Sequence, residues 1–143
     1  MGFAKWSMMT VPKIDHVGIA TQSIDNATAF WETLGLVTKE DDVNNEQGVR
    51  IRMMMGDSNS PTIELLEPIS PDTPVGRFIG KSGEGIQQLA FSVDDIHETI
   101  SRLVDSGYRM INEQPINGVG DTQIAFVHPS STGGVLVELV QHN

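Results

Sequence analysis

Residues 133–140 read GGVLVELV: Gly133, Gly134, Val135, Leu136, Val137, Glu138, Leu139, Val140. A short apolar, β-branched run entered through two glycines predicts a buried strand. Glu138 sits in its middle, and the residues one and two places away on both sides are all Leu or Val. Simple alternation therefore offers it no solvent face. A buried ionised carboxylate costs on the order of several kcal/mol unless it is paired, hydrogen-bonded or bound to a metal. The partner of Glu138 decides what this strand is for.

Upstream, the chain predicts further elements in a repeating order. Residues 14–20 (IDHVGIA) predict a strand, and Ser23 and Asp25 are N-cap candidates for a helix over 24–33. That helix would carry Ala27, Phe30 and Trp31 on one side and end at Leu34–Gly35, with Gly35 as its C-terminal stop. Strands are predicted at 36–40, 48–55 and 62–66, with a polar loop over 41–47 and a turn over 56–61. A connector rich in Pro, Gly and Ser follows, with a short helix near 74–79. The sequence then predicts a strand at 86–93, a helix at 96–105 capped by Asp94 or Asp95, and strands at 108–112 and 122–127. Residues 114–121 read as a loop, 128–132 as a turn and 141–143 as a tail.

The order is β-α-β-β-β twice. A shift of 72 residues sets Ile14 on Ile86, His16 on Gln88, Ile24 on Ile96 and Gly35 on Gly107. A shift of 74 sets Glu64 on Glu138 and Leu65 on Leu139. A period this long is an internal duplication. The expected layout is a leader at 1–12, then one domain over 13–143. That domain contains modules 13–68 and 85–141 joined by a connector at 69–84.

The duplication gives meaning to four polar residues in apolar strands: His16, Glu64, Gln88 and Glu138. If the modules pack about a pseudo-two-fold axis, the four form two equivalent pairs. Imidazole nitrogen with carboxylate and amide oxygens suits Co²⁺, Ni²⁺, Zn²⁺, Mn²⁺ or Fe²⁺, and two carboxylates neutralise a divalent ion. Taken singly, each residue has a plainer reading. His16 is a structural histidine, Glu64 is paired with Arg50 or Arg52, and Gln87 and Gln88 are bonded to the backbone. His97 reads as a surface residue, His128 as a turn residue before Pro129 with a supporting or substrate contact as the lesser alternative, and His142 as free in the tail. Met53–Met55 read as core or pocket lining, and Asp41 and Asp42 as a solvated cluster.

Bulk composition narrows the class. The chain has 143 residues, no cysteine, 38% hydrophobic residues and a formal net charge of −10. It suits one domain with a true core. The absence of cysteine removes disulfides and thiolate metal sites and fits a cytoplasmic protein. The acidic balance argues against nucleic acid and anionic membranes. No apolar run approaches the roughly 20 residues of a membrane span, and the first residues lack a signal-peptide pattern.

The segments DHVGIA, EQGV, IELLEP, SPDTP, GEGI, AFSVDDI and HPSSTGGVLVEL together resemble methylmalonyl-CoA epimerase. That family belongs to the vicinal oxygen chelate superfamily, with glyoxalase I and the extradiol dioxygenases. The resemblance covers about residues 13–141. It implies an α+β fold: two tandem βαβββ modules forming a curved mixed sheet around a metal-binding pocket. It implies His16, Glu64 and Glu138 as ligands of a divalent metal, cobalt first among the candidates, and Glu46 of EQGV as a catalytic carboxylate. It also implies methylmalonyl-CoA as substrate, a place in propionate metabolism and a homodimer.

Two departures stand out. The family motif GIHH is GIQQ here, so Gln88, an oxygen ligand, occupies a histidine position. Lysines that relatives often carry after HP and in a GxGG loop are replaced by Ser130 and Asp121–Thr122. The expected chemistry is removal of the α-proton to an enolate and return of a proton to the other face, with Glu46 and Glu138 as the two bases. Rival readings are a glyoxalase I-like isomerase and a metal-free binding protein of the same fold. A dioxygenase fits less well, since its iron site takes two His and one Glu.

Overall fold

The computed structural model describes residues 11–143. Most of the leader expected at 1–12 lies outside the described residues. Two compact units are present: Asp15–Ala90, and residues 11–14 with Phe91–Asn143.

In the first unit the strands lie in the order β2-β3-β4-β1-β5. They are β1 (Lys13–Ala20), β2 (Val37–Asn44), β3 (Val49–Met55), β4 (Thr62–Pro68) and β5 (Gly85–Ser92), the last running on past the unit's end. β1 pairs with β4 in parallel, while β2, β3 and β4 form an antiparallel meander. The parallel pair needs a long crossover, and helix α1 (Ile24–Leu34) lies within it. Ser23 caps α1 by accepting the Asn26 N–H, and Gly35 ends it at φ 118°, a left-handed conformation that suits glycine.

Ile24, Ala27 and Trp31 of α1 pack with Met54, Leu65, Ile19 and Ile63. Phe30, expected on the inner side, is instead exposed and meets Trp31 edge-on. The inward stripe runs 24, 27, 28, 31, the i, i+3, i+4, i+7 spacing, and residue 30 falls outside it. Helix α2 (Pro74–Ser82) is longer than expected; Thr73 caps it, and it packs on β4.

The second unit has the order β8-β7-β6, with β6 (Ile116–Asn117), β7 (Thr122–Val127) and β8 (Val137–His142), all antiparallel. Helix α3 (Ile96–Asp105), capped by Asp95, sets Ile96, Ile100 and Leu103 against Ala125, Val127, Val137 and Leu139.

The duplication extends to individual hydrogen bonds. The Ile24 N–H donates to Glu67 Oε1 at 2.9 Å, and the Ile96 N–H to Gln141 Oε1 at 2.8 Å. The Thr21 N–H donates to the Leu66 carbonyl at 2.9 Å, and the Val93 N–H to the Val140 carbonyl at 2.8 Å. Both pairs obey the shifts of 72 and 74 read from the sequence.

Four segments differ from expectation. β2 continues through Asn44 where a loop was expected, because antiparallel pairing with β3 satisfies its backbone and Asp41 takes the Arg52 guanidinium on two oxygens at 2.8 and 2.9 Å. That contact holds the Asp41 carboxyl below its ordinary range. Residues 108–112 make one bridge, Met110 to Val127, rather than a strand. Residues 116–117, placed in a loop, form the short β6. β8 starts at Val137, since Gly133 and Gly134 take φ 76° and 103°, and it runs to His142 through the expected tail.

Candidate active site

Residues directly opposite on paired strands share a face. Gly18 lies opposite Glu64 on β1, and Met53 lies opposite it on β3. His16, two residues before Gly18, is therefore on the same face. Leu65 and Ile63 point the other way, into the packing under α1. One sheet face of the first unit thus carries the polar group while the opposite face carries the helix.

His16 is 5% exposed, Glu64 6% and Gln88 9%. The Gln88 amide nitrogen lies 3.2 Å from His16 Nε2. An amide nitrogen can only donate, so Nε2 accepts and Nδ1 carries the imidazole proton. Nδ1 lies 2.7 Å from Asp15 Oδ2 and 3.3 Å from Glu64 Oε2. Asp15 is thus the main partner of Nδ1, with Glu64 beside it.

Gly18 makes room for this arrangement. A Cβ built there would stand 2.5 Å from Gln88 Cγ, 2.9 Å from Leu66 Cδ1 and 3.1 Å from Gln88 Cδ. The Gln88 side chain therefore runs over the bare backbone of β1 at Gly18 on its way to His16.

The pairing of Glu64 with Arg50 or Arg52, a plainer reading of the sequence, is not what forms. Arg52 lies opposite Leu65 and Arg50 opposite Glu67, so both occupy the other face from Glu64. Arg52 goes to Asp41, Asp25 and Thr28, and Arg50 to Glu67.

In the second unit Glu138 is 5% exposed and lies opposite Phe126 on β7. Its neighbours Val137 and Leu139 pack with α3 on the other face. Glu138 therefore faces away from its helix, as Glu64 does in the first unit. Alternation does separate Glu138 from its flanking residues; the sequence hid this because both faces of β8 are apolar.

Glu46 lies between β2 and β3. It is exposed in that turn, where Asn44 Oδ1 accepts the Gln47 N–H. On the Glu64 face, β3 itself offers Val49, Ile51 and Met53.

The other histidines divide. His97 is exposed on α3. His128 accepts the Ser130 N–H on Nδ1 at 3.0 Å, capping the short 3-10 turn Pro129–Ser131. His142 is within β8 opposite Thr122, not in a free tail.

Sequence reasoning missed Asp15 and Gly18. Alternation puts Asp15 on the face opposite His16, so nothing in the spacing announces the contact. Gly18 did carry a signal, since a glycine inside a strand often marks close approach of another group.

Among the described residues, no three or more His, Cys, Asp and Glu side chains form a metal-binding group by themselves. The donor set at His16 includes the Gln88 amide as well, and its chemistry fits a divalent ion: imidazole nitrogen, carboxylate oxygen and amide oxygen. With Nδ1 held on Asp15, Nε2 is the ring nitrogen that would ligate, the usual carboxylate–histidine arrangement of metal sites. A half-turn of the Gln88 amide exchanges its donor for its acceptor.

The profile of the Glyoxalase/Bleomycin resistance protein/Dioxygenase superfamily matches residues 15–126, and the chain belongs to that superfamily. Within it, methylmalonyl-CoA epimerases are among the relatives. The mitochondrial methylmalonyl-CoA epimerase of Dictyostelium discoideum is 31% identical over 90% of this chain and 78% of its own length. A methylmalonyl-CoA epimerase variant of Streptomyces coelicolor, solved with 2-nitronate-propionyl-CoA, superposes with a TM-score of 0.86. It is 35% identical and covers 93% of this chain and 96% of its own. The uncharacterized protein YqjC of Bacillus subtilis is 36% identical over 92% of this chain and 96% of its own length. The resemblance drawn from the motifs is thus borne out, as is the α+β fold of tandem βαβββ modules.

Proposed function

We propose that this chain interconverts (R)- and (S)-methylmalonyl-CoA by removing and returning the α-proton. The epimerase relatives support the substrate. The single observation that carries the site is the buried His16–Gln88–Glu64 group on one sheet face. In this reading His16, Glu64, Gln88 and Glu138 hold a divalent cation, with cobalt first. When bound, that cation would supply Lewis acidity that steadies the charge left on the acyl group when the α-proton departs. The protein's own residues do the rest. Asp15 holds the His16 ring by Nδ1, and the burial of Glu64 and Glu138 limits the access of water to their carboxylates.

Epimerisation needs a base on each face of the planar intermediate. Glu138 and Glu46 are the assigned pair. For Glu46 to serve, the β2–β3 turn has to reach over the bound acyl group. Glu46→Gln tests this by deuterium exchange at the α-carbon in heavy water. Exchange from one enantiomer is expected to fall about 10²- to 10⁴-fold while exchange from the other persists. Exchange at wild-type rates from both would move the second base elsewhere, with Glu40, opposite Met53 on the site face, next in line.

The domain layout, modules 13–68 and 85–141 with a connector between, is part of the proposal, as are a cytoplasmic location and a homodimer. Phe30, Leu34 and Val37, exposed at the end of α1 and the start of β2, are the kind of apolar surface a second copy covers.

A further inference from the structure

We infer that Gly18 is a positioning residue, its missing side chain being what allows Gln88 to reach His16. The inference rests on the site reading above and names a residue that reading does not use.

Gly18 is in β1, in line with Glu64, and its φ is not in the left-handed region. The backbone there does not need glycine; the space does. Two of the three nearest atoms to a built Cβ are Cγ and Cδ of Gln88, and the 2.5 Å approach to Cγ is closer than real Cβ atoms come. Cγ is the middle of the side chain, so it cannot yield without carrying the amide away from His16. Leu66 Cδ1, the third atom, is a flexible tip that can turn aside. The repeat supplies a control. The shift of 72 sets Gly18 on Ala90, which is fully buried and keeps its Cβ. The equivalent strand position thus accepts a methyl group.

Losing the amide contact removes a donor from Nε2 of a buried imidazole and moves an oxygen ligand out of reach. Disturbing the groups that orient a metal ligand typically costs about 10- to 100-fold in affinity.

The test compares Gly18→Ala, Gln88→Ala and the double variant by three measurements. These are urea unfolding, the ¹⁵N shifts of the His16 ring in metal-free protein, and titration with Co²⁺. Gly18→Ala is expected to move the His16 nitrogens as Gln88→Ala does and to weaken Co²⁺ binding about 10- to 100-fold. In the Gln88→Ala background it should add nothing to either. If Gly18→Ala alone fails to fold, the double variant decides: recovery of the fold supports the inference. Unmoved His16 shifts in Gly18→Ala overturn it. So does a double variant that loses as much stability from the added methyl as the wild type does, since the glycine would then serve Leu66. Should the wild type bind no Co²⁺, the metal reading fails, while the ¹⁵N shifts still decide the role of Gly18.

Discussion

Replacing Glu138 by glutamine is expected to slow epimerisation about 10²- to 10⁴-fold while the protein stays folded and still takes up a divalent ion. Glu138 is buried on β8 with apolar residues around it, opposite Phe126 and flanked by Val137 and Leu139, which turn under α3. Glutamine has nearly the same shape and keeps an oxygen that can ligate. It cannot accept the α-proton. The substitution therefore separates the two roles proposed for this residue. A fall in kcat with Co²⁺ binding retained assigns it as a base. A loss of Co²⁺ binding that accounts for the whole effect leaves it a ligand alone. Rates at the wild-type level would remove it from both roles.

His16→Ala is the second large effect. His16 is bonded through two atoms to separate partners, Asp15 on Nδ1 and Gln88 on Nε2. Truncation removes the one nitrogen donor and takes a hydrogen-bond partner from three buried or half-buried polar groups. A cost of about 1–3 kcal/mol for each buried group left unsatisfied makes a lower urea midpoint part of the expected result. Co²⁺ binding is expected to weaken by about 100-fold or more, and turnover to fall with it. His97→Ala, which alters an exposed residue on α3, should change neither. Equal effects from the two histidines would mean that the loss is not specific to the site.

Much of this was legible in the sequence because it is written twice. The shifts of 72 and 74 came from a few apolar and glycine positions. The paired hydrogen bonds at Ile24 and Ile96, and at Thr21 and Val93, follow the same arithmetic. Capping chemistry placed Ser23 and Asp95, since a side-chain oxygen at a helix start has one use. What could not be read depended on contacts far along the chain. The acidic run of β2 looks like loop by composition and becomes strand through its pairing with β3, where Arg52, eleven residues on, neutralises Asp41. GGVLVELV looked like strand from its first residue, yet two positive φ values delay β8 to Val137.

The site divides the same way. The polar positions His16, Glu64 and Gln88 announced themselves by interrupting apolar strands. The support of His16 by Asp15 did not, because alternation assigns neighbours in a strand to opposite faces. Glu46 came from motif resemblance, since an exposed glutamate in a polar turn carries no signal of its own.

The most direct measurement starts from one pure enantiomer of methylmalonyl-CoA in heavy water and follows optical purity and α-deuterium together. The purified protein is stripped of metal first, then given Co²⁺. The account predicts that both enantiomers appear and that deuterium enters the α-position only after Co²⁺ is restored. Retention of the starting enantiomer with its α-proton intact, at every metal level, would contradict it.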